Sequence, residues 1–225
     1  TFESPALLPN FQNLYGQGSG GAFEWFDGNY GGVNDGVDEG WGAKLDGRLI
    51  CQFDSPGAGT STCTPTPWVA HPDNVKSFFE TGVTQSATVA VSGGTNRTSG
   101  RLSLGADGIK GVFPNHSFQR NTASLSGTFV ASSRVTADGS VQYIRNSGRN
   151  RPGVGYSGRN PLQSMFNWFG RQVDLDKHKN YQAGGATNGG PSNREFNWNY
   201  SYHNNPFWQQ EKNPILDDRD RVIVS

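Results

Sequence analysis

Cysteine, methionine and charge are all scarce in this chain of 225 residues. It holds two Cys and one Met, and only 17% of its residues are Asp, Glu, Lys or Arg. Two Cys cannot build a multi-bridge scaffold or a Cys-rich zinc module. The 19 basic and 19 acidic residues cancel, so the basic face of a nucleic-acid binder is not expected, and no nucleic acid partner with it. No stretch approaches the ~18 apolar residues of a membrane-spanning helix. The hydrophobic share, 33%, is thin for a soluble globule of this length.

Glycine and aromatic residues fill the gap. There are 31 Gly, six Trp and fourteen Phe. Disordered chains are poor in aromatics, so the glycine content points to long loops on a β-scaffold. Cys51 and Cys63 lie in a Gly/Ser/Thr/Pro-rich stretch. They are the candidate disulfide, a bond suited to an oxidising compartment, with two free thiols as the alternative.

Residues 1–73 show no persistent period and read as one long loop region. Val75 to Thr81 reads as a short helix capped by Asp73 or Asn74 and stopped at Gly82. Four alternating strands follow: Gln85 to Ser92, Ser99 to Ala106, Gln119 to Ala131 and Val135 to Ile144. In each, one face is apolar (Val89, Val91, Leu102, Leu104, Leu125, Phe129, Val141, Tyr143). The other is Ser, Thr, Gly, Gln, Asp and Arg. Strands three and four are long for a soluble sheet and near the ~9–11 residues that cross a bilayer at a tilt. Their apolar rows are modest in bulk, as a row facing lipid needs no interdigitating partner. The expected fold is therefore all-β, an antiparallel transmembrane β-barrel segment with long extracellular loops and short helices in those loops. Residues 74–144 would supply early barrel strands and 145–196 a long loop, with a short helix over Leu162 to Asp174 behind Pro161. Residues 197–225 would return to barrel strands, with Asn197 to Phe207 as the aromatic end of one and Asp220 to Val224 as the start of another. The chain opens Thr-Phe-Glu-Ser-Pro, without a basic or apolar leader, and ends on what looks like a strand cut midway. It reads as an internal fragment.

Chemical motifs are few. No Gly-x-Ser-x-Gly, P-loop or dinucleotide fingerprint opens a helix after a strand, and Gly16-Gln-Gly-Ser-Gly-Gly lacks the strand that would precede one. His71, His116, His178 and His203 are scattered without ligand spacing. Asp27, Asn29, Gly32 and Asp38 fall at calcium-loop positions, but position five is Gly31, the last ligand is the short Asp38, and no helix flanks them. A Gly-rich surface turn is the reading there. No enzyme, metal or cofactor is expected. The aromatics Trp25, Tyr30, Trp41 and Trp168 are the candidate substrate-binding residues, because indole and phenol rings stack on sugar faces. Packing of loops on one another, or an interfacial girdle, is the structural alternative.

Several blocks occur in a fixed order. They are Asp38-Glu-Gly-Trp-Gly-Ala-Lys-Leu-Asp-Gly, Phe79-Glu-Thr-Gly-Val-Thr-Gln, Val89-Ala-Val-Ser-Gly-Gly, Leu102-Ser-Leu-Gly, Lys110-Gly-Val-Phe-Pro-Asn, Gln119-Arg-Asn, Asn204-Asn-Pro-Phe-Trp and Asp218-Arg-Asp-Arg-Val. In this set the chain resembles the SusC/RagA family of TonB-dependent outer-membrane transporters. Gly40 stands where that family usually has Ser, and Ala43 where it has Pro. The resemblance implies a piece just past the plug of a much longer protein in the cell outer membrane. Its implied partners are outer-membrane lipids, a SusD-like surface lipoprotein, the TonB complex (through parts outside this chain), and an oligosaccharide or peptide ligand. The competing expectation is a secreted soluble β-sandwich that binds carbohydrate.

Overall fold

The computed structural model describes residues 8–23, 37–183 and 195–225. The chain divides into two units. One comprises residues 81–151 and 214–225, and the other comprises the described residues of 2–80 and 152–213.

The first unit is a five-stranded antiparallel sheet. Two short strands in the other unit, paired antiparallel, take the labels β1 (Leu49–Ile50) and β2 (Thr66–Pro67). The sheet then runs β3 (Val83–Gly94), β4 (Thr98–Lys110), β5 (Ser117–Ser132), β6 (Val135–Arg149) and β7 (Leu216–Val224), each paired with the next in order. All four expected strands are present, and each is longer than its apolar alternation. Backbone ladder bonds are indifferent to side-chain polarity, so pairing continues through Gly93 and Gly94 at one end and through Arg145 to Arg149 at the other. The loop expected from residue 145 therefore begins after Arg149. Asp220 proves to be the middle of a strand that starts at Leu216.

Connections divide by end. Residues 95–97 join β3 to β4, and Ser133 and Arg134 join β5 to β6, at one end of the sheet. At the opposite end residues 111–116 join β4 to β5, and the stretch from Asn150 to Ile215 joins β6 to β7.

The second unit has little regular structure. Helix α1 (Pro161–Asn167) starts at Pro161 as expected but ends at Asn167, well short of the expected Asp174, which instead caps the next helix. Helix α1 is capped by Asn160, whose side chain accepts from Leu162 N at 3.2 Å. Helix α2 (Leu175–His178) and helix α3 (Pro206–Lys212) follow. The aromatic segment Asn197 to Phe207, expected as a strand end, instead forms a turn leading into α3. Its asparagines explain why: they satisfy backbone groups locally, which competes with a ladder. Asn197 Nδ2 donates to the carbonyls of Asn199 and His203 at 2.7 Å each. Asn205 Oδ1 accepts from Phe207 N and Trp208 N, at 2.9 and 3.2 Å.

The expected helix over Val75 to Thr81 shrinks to one 3-10 turn, Lys76–Phe78. Asn74 is not its cap, because its Oδ1 accepts instead from Leu175 N at 2.6 Å. Val75 and Phe78 are buried all the same.

The core of this unit is aromatic. Phe169 meets Trp198 edge-on at 5.0 Å, and His178 lies 5.7, 5.9 and 5.0 Å from Phe53, Phe169 and Phe196. Arg171 is buried beside it. Its guanidinium donates to Asn13 Oδ1 and to the carbonyls of His71 and Pro72, and lies 4.8 Å from the Phe11 ring. Burial lowers its pKa from the ordinary arginine value. Gly16 packs against the Trp68 indole so closely that a Cβ there would sit 2.2 Å from a ring carbon. Trp68 Nε1 in turn donates to the Ala43 carbonyl at 3.1 Å.

Cys51 and Cys63 are joined in a disulfide across a sequence separation of 12. Opening it with reductant, or with the Cys51→Ser, Cys63→Ser pair, is expected to destabilise this unit by about 3 kcal/mol. Tryptophan-monitored thermal unfolding of the full chain, with and without reductant, measures this. An unchanged midpoint would show that the loop is held without the bond.

Candidate functional site: the two faces of the sheet

Side chains alternate across a strand, so the ladder register decides which residues share a face. Here it aligns the apolar positions of all five strands. Val91, Leu102, Leu125, Val141 and Val224 form one row; Val89, Leu104, Ala123, Tyr143 and Val222 form the next. These rows are not covered: Leu102, Leu125 and Val141 are 47%, 58% and 45% exposed, and Val91 and Val224 about 70%. Toward the short-turn end follows a side-chain-free row, Gly93, Gly100, Gly127 and Gly139, and beyond it Phe129 beside Ala137. Toward the long-connection end the band stops at Tyr143, whose hydroxyl donates to Asp220 Oδ1 at 2.6 Å. Arg145, Asp218 and Arg149 lie beyond.

The reverse face is polar over the same height. One row reads Ser92, Arg101, Ser126, Ser140, and another Ala90, Ser103, Ser124, Gln142, Ile223. Hydroxyls and carboxylates bond across it: Thr128 donates to Asp138 at 2.6 Å, and Gln142 Nε2 to Ser124 at 3.2 Å. Strands of 13 to 16 residues extend about 43–53 Å. Tilted by about 40°, they exceed the ~25 Å apolar band of an outer-membrane barrel.

Of the candidate binding aromatics, Trp25 and Tyr30 lie outside the described residues. Trp41 is 61% exposed, with its ring 5.9 Å from Tyr15. It stands on an irregular hairpin in which Gly42 N donates to the Gly16 carbonyl, and a Cβ on Gly42 would collide with Gln17. Trp168 is half-buried just past α1, its Nε1 shielded and without a protein acceptor. Trp41 and Trp168 make no ring contact with each other, so the structure does not bring these two candidates together.

The carboxylate of Asp38, the last position of the calcium-like loop, accepts from His203 Nε2 at 2.8 Å, and His203 Nδ1 faces Ser164 Oγ at 3.1 Å. The order Ser, His, Asp is that of a nucleophile relay. Here it ties three segments: the irregular stretch at Asp38, the turn before α3, and α1. The His203 ring is 9% exposed and stacks on Trp198 at 4.9 Å. No group of three or more metal-ligating side chains occurs among the described residues.

His178 was legible in the sequence only as one of four scattered histidines. Burial among three phenylalanines pushes its pKa down to about 4. Its Nδ1 faces the Asp174 carbonyl at 3.0 Å, which can only accept, so the proton sits on Nδ1. Sequence reasoning also missed the arginines on the polar face. Arg219 and Arg221 stand two apart in one strand, a spacing that shares a face, but their neighbour Arg120 is found only through register.

No family model matches the chain, and no curated protein matches it.

The neutral state of His178 makes stability pH-dependent. Above pH ~6.5 neither folded nor unfolded chain protonates it, and its burial costs no charge. As pH falls from ~6.5 toward about 4, the unfolded chain takes a proton that the folded one refuses. Stability should drop across that window by about 3 kcal/mol. Burial lowers the pKa of His203 too, against the opposing pull of Asp38, and its contribution has the same sign. Urea titrations between pH 7.5 and 4 should therefore show a slope that becomes shallower in His178→Phe. In a second variant, Asn205→Ala removes four hydrogen bonds, two of them to the carbonyls of His178 and Phe196. It should cost at least about 2 kcal/mol at pH 7.5.

Proposed function

We propose that the sheet is a stretch of the wall of an outer-membrane β-barrel, belonging to a TonB-dependent active transporter of the SusC/RagA type that imports glycan- or peptide-derived nutrients. One observation carries this reading: an uncovered apolar face, in register over five strands, backed by a face of Ser, Thr, Gln and Arg. In water such a face would be an aggregation surface, and the outer strands would present unpaired ladder groups. In a bilayer the face is solvated by acyl chains, and closure with further strands removes the edges. Tyr143 at the edge of the band, bonded to Asp220, fits the aromatic girdle where hydrocarbon gives way to headgroups. Short turns at one end, against the connection 111–116 and the much longer one from Asn150 to Ile215 at the other, fit the periplasmic and extracellular sides of such barrels. The ordered sequence blocks, through their resemblance to that family, support the choice of transporter type.

In this mechanism the wall contributes no bond-breaking step. The strands insulate a polar lumen, and the long connections at the extracellular end contribute to the vestibule, where exposed aromatics such as Trp41 meet the solute. A SusD-like lipoprotein closes over that vestibule. Displacement of the plug, driven through the TonB complex, belongs to parts of the protein outside this chain. The sandwich alternative needs a second sheet packed at crystalline density over Leu102, Leu125 and Val141, and those side chains stand about half exposed.

Adjacent positions on β5 test which face meets lipid. Leu125→Arg should cost about 2–4 kcal/mol of folding free energy in phospholipid vesicles. Ser124→Arg, one residue away and facing the lumen, should cost less than about 1 kcal/mol. Equal costs, or a chain that stays monomeric in buffer without detergent, would overturn the proposal.

A further inference from the structure

The polar face of the sheet carries a concavity of about 270 Å³ lined by Arg120, Ile144, Asn146, Arg219 and Arg221. Its construction follows from register. Arg120 on β5, Asn146 on β6 and Arg219 on β7 are direct neighbours in one row. Arg221 stands beside Ile144 in the adjoining row. Ile144 is the floor, the one buried residue of strands β3 to β7. With strands about 4.8 Å apart, the Arg120 and Arg219 backbones are separated by about 10 Å, so their long side chains can converge on one solute.

The wall of this concavity bears three cations and an amide, and no carboxylate. The nearest acids by register are Asp107, which pairs in the ladder with Arg120 from the far side, and Asp217, next to Arg219. Asp217 faces Arg151 at 3.9 Å. Among the described residues neither acid forms an ion pair with Arg120, Arg219 or Arg221. Asn146 Oδ1 is shielded and accepts no bond from the protein, although three arginines line the same concavity. Three guanidinium groups on neighbouring strands repel one another, and the one acid in their row, Asp107, stands beside Arg120 alone. An oxyanion relieves that repulsion and matches the planar fork of each guanidinium with two parallel hydrogen bonds.

We propose that Arg120, Arg219 and Arg221, with Asn146, form an anion-binding station on the polar face that takes a solute bearing carboxylate groups, a uronate-type oligosaccharide being the fitting class. The inference rests on the transporter reading for its location in a lumen and names a substrate class for it. Rings of basic side chains are a general means of selecting anions in a pore.

The test uses the full chain in detergent micelles, with trigalacturonate as the probe and its fully methyl-esterified, uncharged form as the control. Calorimetric titration should show binding of the acid that weakens about tenfold for each arginine replaced in Arg120→Gln, Arg219→Gln and Arg221→Gln. Arg221→Lys should fall between, since it keeps the charge and loses the fork. The neutral ester should bind equally to all forms. Circular dichroism and unfolding midpoints confirm that each variant is folded; if one is not, the remaining two and the lysine variant carry the comparison. Acid binding unaffected by every substitution, or no acid binding at all, would overturn the station. Insertion into vesicles is a separate readout: arginine-dependent binding by a chain that does not insert would sink the transporter reading and leave the anion site standing.

Discussion

The antiparallel ladder from β3 to β7 governs what this protein presents to its surroundings. It pairs residue with residue across all five strands, and its one irregularity lies between Val130 and Ser132. A slip of one residue in any strand would move Leu102, Leu125 or Val141 into the polar rows and bring Arg101 or Asp138 to the other side. The apolar band, the glycine row beside it and the arginine concavity behind it all depend on that register. Each is a pattern between strands, made of residues that are far apart along the chain.

The two units are held by different physics. The sheet has almost no buried side chains, so its cohesion comes from backbone hydrogen bonds and cross-strand pairs. The second unit has little ladder and a dense interior instead. There Asn74, Asn197, Asn199 and Asn205 stand in for secondary structure by bonding backbone groups directly. Phe53, Phe169, His178, Phe196 and Trp198 supply its apolar mass. A chain with only 33% hydrophobic residues can form both because it spends its aliphatic residues on one exposed face and its aromatics on one small core.

This division explains how the sequence could be read. Strands β3 to β6 were legible because period-two alternation survives without any tertiary context, and Pro161 marked the start of α1 correctly. The segment Asn197 to Phe207 misled because alternating Trp198, Tyr200 and Tyr202 mimic a strand. What sets its conformation is the asparagine side chains between them, and propensity does not weigh those bonds. Asn74 failed as a helix cap for a related reason, since its carbonyl oxygen is claimed by Leu175, a hundred residues away. Trp41, a candidate binding aromatic, stands exposed at the surface, whereas the shielded Nε1 of Trp168 could not be foreseen from the helix on which it borders.

The amino-acid sequence alone determined the strands, their two chemically distinct faces and the cysteine pair, because these follow from local periodicity and composition. Tertiary structure decided which faces align, that Ser164, His203 and Asp38 meet, that His178 is held neutral in an aromatic cage, and that Arg120 joins Arg219 and Arg221 around Ile144. The physical reason is distance along the chain. Periodicity orients a side chain relative to its own strand, but hydrogen-bond register and burial are properties of pairs of segments, fixed only when those segments come together.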